Sequence, residues 1–190
     1  MKHVKLTVLF LGLGFVFAAC GTQGDIAINI EKKSSSMNAT YGVIRAADED
    51  TYRGRKTIFY SFWLSNFDLG IEKEEKAGLG PTLSSADQKK IFFNIIVGED
   101  GSFGTKLREG VYSSPRATHV TPGLEMGSFR VFTFSNGEEN QWERLGGTEQ
   151  SFVNIISVKD DTVTGEITFI DGDDSAKGKF TAKMIKKKEE

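Results

Sequence analysis

The chain has 190 residues, of which 24 are basic and 26 acidic, and a pI near 5.8. That balance carries no electrostatic footprint for nucleic acid. One cysteine and two histidines exclude a disulfide framework and leave too few ligands for a Cys/His zinc site.

The first element in chain order is a leader. Lys2, His3 and Lys5 form a basic head, and Leu6 to Ala19 is an uncharged run of 14 residues. A membrane-spanning helix needs about 20 apolar residues, so this run suits a secretory signal peptide better than a span. It ends in Phe17-Ala18-Ala19-Cys20, and Cys20 is the single cysteine. This stretch resembles the lipobox of bacterial lipoproteins. The resemblance implies that residues 1–19 are removed and that Cys20 becomes an N-terminus carrying a diacylglyceryl group. Ala18 and Ala19 suit the peptidase's need for small side chains, whereas Phe17 departs from the commoner leucine. The rival readings are a plain secreted protein with an inert Cys20 and an uncleaved anchor. Acyl chains contribute roughly 0.8 kcal/mol per buried methylene, and several together hold stably.

Cleavage leaves 171 residues with 22 basic and 26 acidic side chains, enough for one domain with its own core. Residues 20–24 read as the lipidated N-terminus and tether, 25–186 as a single domain, and 187–190 as a charged tail. The four residues Gly21 to Gly24 reach at most about 14 Å, which keeps the domain near the bilayer. An Asp after the cysteine favours the inner membrane in such lipoproteins. Gly21 stands there, so the resemblance implies a cell-envelope, outer-membrane location.

Strands follow. DIAINIE (25–31) alternates Ile26, Ile28 and Ile30 with polar neighbours. TYGVIRAA (40–47) is a second candidate. KTIFYSFWLSNF (56–67) puts Ile58, Tyr60, Phe62 and Leu64 on one face and Phe59, Trp63 and Phe67 on the other. IFFNIIV (91–97) and SFRVFTF (128–134) are also apolar on both faces. SFVNIISV (151–158), TVTGEITFI (162–170) and GKFTAKMI (178–185), joined by KDD and DGDDSAK, read as an antiparallel meander with one wet face. Its pattern of Val163, Gly165, Phe169, Gly178, Phe180, Ala182 and Lys183 looks like the closing hairpin of many small bacterial β lipoproteins. Two short surface helices are expected: IEKEEKA (71–77), and SADQKK (85–90) with Ser85 and Gln88 as a capping box.

The expected fold is therefore all-β: one antiparallel sandwich or a lipocalin-like barrel of about 8–10 strands, with one or two short surface helices. Strands apolar on both faces need a cover on each side. The aromatic residues Phe59, Trp63 and Phe67 then lie under the 68–90 connection, beside a ligand-filled interior, or in a patch for a partner.

Chemistry is sparse. His119, the one histidine beyond the leader, lies in the loop PRATHVTPGLEMG, a poor place for a triad base. Asp171, Asp173 and Asp174, with Asp160 and Asp161 in the next hairpin, offer carboxylates to calcium. Asp-Gly is equally what a tight hairpin needs. Glu138, Glu139 and Glu143 cluster around SNGEENQW without a cleft that would suit paired carboxylates. Trp142 either stacks on a sugar or closes the core. No cofactor is expected. The sequence reads as a non-enzymatic lipid-anchored protein that binds another envelope or host macromolecule. The alternatives are a lipocalin-like carrier of a small apolar ligand and, remotely, a hydrolase.

Overall fold

Twelve strands, hydrogen-bonded into one sheet, carry the fold among the described residues, which are 24–71, 78–99, 104–115, 124–145 and 147–185 of a computed structural model. In chain order they are β1 (Gly24–Ile30), β2 (Lys33–Ala39), β3 (Tyr41–Ala46), β4 (Asp50–Tyr52), β5 (Arg55–Ser65), β6 (Lys90–Gly98), β7 (Gly110–Ser113), β8 (Leu124–Ser135), β9 (Glu138–Leu145), β10 (Phe152–Lys159), β11 (Thr162–Asp171) and β12 (Asp174–Ile185). The all-β expectation holds.

Pairing runs β3–β5–β6–β8–β7–β10–β11–β12 and returns to β3, so eight strands close on themselves. The sheet is mixed rather than wholly antiparallel. β12 meets β3 in parallel (Lys183 opposite Val43), and β7 meets β8 in parallel (Ser113 opposite Glu125). Both parallel contacts arise because two long strands change partner midway. β12 pairs with β1 over residues 175–178 and then with β3 over 183–185. β8 pairs with β7 at its start and with β9 from Ser128 onward. Where β12 changes partner, the incoming strands press on its backbone through glycines. A Cβ at Gly24 would lie 2.9 Å from the Lys179 Cβ, and one at Gly42 would lie 2.9 Å from the Ala182 Cα.

The interior is filled by aromatic rings from facing walls. Phe62 (β5) stacks on Phe93 (β6) at 4.6 Å, Phe93 on Phe129 (β8) at 6.0 Å, and Phe129 on Phe169 (β11) at 4.4 Å. Phe180 (β12) meets Phe62 and Phe93 edge-on at 5.7 and 5.8 Å. Offset and edge-on geometries suit the ring quadrupoles, beyond the apolar area that they bury. One end of the barrel is closed by the segment before β7. Leu107 enters the core, and the Tyr60 hydroxyl accepts from the Leu107 N–H and donates to the Thr105 carbonyl, both at 3.1 Å. The Tyr112 hydroxyl donates to the Arg108 carbonyl at 2.8 Å and accepts from its N–H at 3.3 Å. Burial pushes the Tyr60 hydroxyl up, and that of Tyr112 up to about 12.

Two-residue hairpins set much of the register. Asn136-Gly137 joins β8 to β9 with φ of 56° and 83°, and Glu31-Lys32 joins β1 to β2 with 51° and 64°. Residues 85–90 form a turn and the start of β6 rather than a helix. The Gln88 N–H donates to the Ser85 carbonyl at 3.1 Å, and the Gln88 side chain accepts from the Ser84 N–H at 2.8 Å. The other expected helix, 71–77, falls almost wholly outside the described residues, which include only Ile71.

Candidate functional site

The outer face of β5, β6 and β8 is where chemistry and exposure meet. Its upper part is apolar. Trp63, Phe92 and Phe132 form a second cluster with Leu69, Ile71 and Leu83 from the 66–89 connection, and Phe67, Leu79 and Tyr41 pack around it. The connection is tied down by polar contacts. Lys90 Nζ donates to the Pro81 carbonyl at 2.6 Å, Glu139 accepts from the Leu83 N–H at 2.7 Å, and Arg45 donates to the Ile71 carbonyl. Lys90 itself is 2% exposed, paired with Glu139 at 3.1 Å and set over the Phe132 ring.

Below that cap lies a row of short polar side chains. The register sets Arg45 (β3) opposite Ser61 (β5), and Ser61 opposite Asn94 (β6). Beyond Asn94 the ladder slips, because Phe93 faces Phe129 while Ile95 faces Met126. Gly127 and Ser128 together therefore oppose Asn94, a bulge in β8. Asn94 Oδ1 takes the place of the lost ladder partner, accepting from the Ser128 N–H at 2.7 Å and from its hydroxyl at 3.3 Å. A Cβ at Gly127 would lie 3.0 Å from the Asn94 Cγ, so glycine there leaves room for the amide to lie across the bulge.

Larger groups border this row on both sides. Above it Arg130 sits over the Phe92 ring at 5.7 Å and donates to Glu143 at 2.6 Å. Below it, half-buried Phe59 meets Tyr52 edge-on at 6.0 Å. Arg53 lies over Tyr52 at 5.1 Å and pairs with Glu125 at 3.2 Å.

The three aromatic residues singled out by sequence thus separate. Trp63, 5% exposed, lies in the covered cluster, and its indole N–H meets no acceptor among the described residues. Phe67 is half-buried against the same cluster. Phe59 stands apart beside Tyr52. Val111 and Ile156, on neighbouring β7 and β10, are the exposed large apolar side chains among the described residues.

In the acidic turn, Asp171 and Asp174 meet protein donors, and the Asp173 backbone carbonyl accepts from Asn29 Nδ2 at 2.9 Å. Asp171 is ion-paired with Arg144. Asp174 accepts from the Glu31 N–H at 2.7 Å and from Trp142 Nε1 at 3.0 Å. No three His, Cys, Asp or Glu side chains gather as a metal site among the described residues. Trp142 belongs to the core, edge-on to Phe169 at 5.4 Å. His119 and Cys20 lie outside the described residues.

Ser61, Asn94 and Ser128 were not candidates from sequence. One signal was present: Asn94 is the only polar residue inside IFFNIIV. Its meaning depends on the bulge across from it, which periodicity does not reveal. No protein-family model matches the chain, and neither a curated protein nor a solved structure is significantly similar to it.

Proposed function

We propose that the chain is a lipid-anchored bacterial envelope protein, held through Cys20 in the outer membrane, that acts without catalysis by binding another macromolecule. The observation that carries the binding role is the outer face of β5–β6–β8. There half-exposed Phe59 and Tyr52 border polar atoms that have spare hydrogen-bonding capacity, over an interior filled by the protein's own rings. The filled interior favours a surface binder over a lipocalin-like carrier, whose ligand needs that space. The anchor rests on Phe17-Ala18-Ala19-Cys20.

Two measurements test this reading. Cells fed labelled fatty acid should label the wild type and not Cys20→Ser, and only the wild type should pellet with membranes. A Cys20→Ser protein that labels and pellets normally overturns the anchor. Native mass spectrometry of residues 21–190 should give a bare mass. An added mass that disappears on denaturation would give the carrier reading the lead.

A further inference from the structure

We propose that the notch formed by Ser61, Asn94 and Ser128 is a saccharide-binding site, which rests on the reading of this chain as a surface-binding protein. The floor of the notch is made of short polar side chains in register across three strands. Trp63 and Phe92 rise on one side, Phe59 and Ile96 on the other. Ser61 Oγ and Asn94 Nδ2 have no partner among the described residues. The backbone N–H of Ser128 can only donate, so it fixes Asn94 Oδ1 as the acceptor and leaves Nδ2 as a donor for a ligand. The Ser128 hydroxyl, donating to Asn94, keeps its lone pairs.

Three ligand classes compete for such a surface. A peptide strand adds at a sheet edge, where backbone groups are free. The notch lies mid-sheet, where the neighbouring strands already take those groups. A hydrocarbon chain would cover Ser61 and Asn94 without pairing them, at a cost for each buried polar atom. A pyranose fits both halves of the site. Its hydroxyls reach the serine and asparagine atoms, and its C–H face stacks on the half-exposed Phe59 ring, which Tyr52 holds edge-on. Arg53 and Arg130, each tied to a glutamate, stand at the rims as further donors.

The test uses the mature chain purified from membranes in a detergent that carries no sugar. It is titrated with soluble glycan strands of alternating N-acetylglucosamine and N-acetylmuramic acid, and with maltohexaose. Saturable binding of at least one glycan is expected. Ser61→Leu fills the notch without removing a hydrogen bond and should weaken binding at least tenfold at unchanged thermal stability. Phe59→Ala should weaken it several-fold. No saturable binding up to about 10 mM, weaker than any useful affinity, overturns the proposal, and so does full binding by Ser61→Leu. Intact mass on the same sample reports the group on Cys20. A failed titration on an acylated chain therefore removes the saccharide site, while an unacylated Cys20 removes the anchor.

Discussion

Lys90 and Glu139 meet at 3.1 Å beneath the 66–89 connection, with the lysine side chain only 3% exposed and the glutamate 18%. Breaking one half of such a pair strands the other charge, at a cost of about 3–5 kcal/mol. Glu139→Ala should fall in that range, because it also frees the Leu83 N–H. The double variant Lys90→Met/Glu139→Gln should cost clearly less than the sum of its single changes. Urea unfolding of the four proteins measures the coupling, and strict additivity would mean the pair is not a unit.

Tyr112 and Tyr60 supply a pH dependence with a defined sign. Their hydroxyls ionise at higher pH in the folded chain than in the unfolded one, where tyrosine titrates near 10. Unfolding therefore releases protons between pH 10 and about 12, and stability falls as pH rises through that window. The Tyr112 shift alone accounts for a loss of roughly 2–3 kcal/mol. Tyr112→Phe should be less stable at neutral pH and lose less on going from pH 9.5 to 11.5. Equal slopes for both proteins would show that Tyr112 does not drive the alkaline loss.

Two glycines distinguish crowding from backbone strain. Gly42→Ala places its methyl against the Thr181 carbonyl and Ala182 Cα of β12 and should cost more than about 2 kcal/mol. Gly54→Ala meets nothing within 4 Å but keeps φ near +76°, so it should cost about 1 kcal/mol. Thermal melts of the two variants rank the effects, and the reverse order would contradict the close approach of β3 to β12.

Calcium should leave the protein unchanged. Arg144 and Trp142 already engage the Asp171 and Asp174 carboxylates. The melting temperature should therefore be equal in millimolar calcium and in chelator. A rise with calcium that vanishes in Asp174→Asn would place an ion in that turn.

The C-terminal meander was legible because Val163, Ile167, Phe169, Phe180 and Ala182 alternate strictly with polar residues, and each is buried. Yet β12 starts at Asp174, four residues before the expected strand, because the turn is Gly172-Asp173 alone. β2 was invisible. Lys33-Ser34-Ser35-Ser36 has no apolar alternation, and Glu31-Lys32 turns left-handed without a glycine to signal it. The two apolar faces of β5 were readable as faces needing two covers. Lys90 was not readable as a buried charge, since its partner Glu139 lies 49 positions on, in β9, with β8 between the two strands. The notch was hidden for the same reason: its floor exists only once three strands take their register.

Ring closure through β3 and β12 constrains the order of assembly. Among the described residues β12 is the last strand in chain order, and it alone there satisfies the facing edges of β1, β3 and β11. A chain delivered N-terminus first therefore holds these three edges open, together with the aromatic faces of β5 and β6, until the twelve residues of β12 arrive. Pairings that distant in sequence form slowly, and open edges recruit wrong neighbours meanwhile. Losing β12 would thus leave a sticky half-shell, open to every other copy, rather than a slightly shortened barrel.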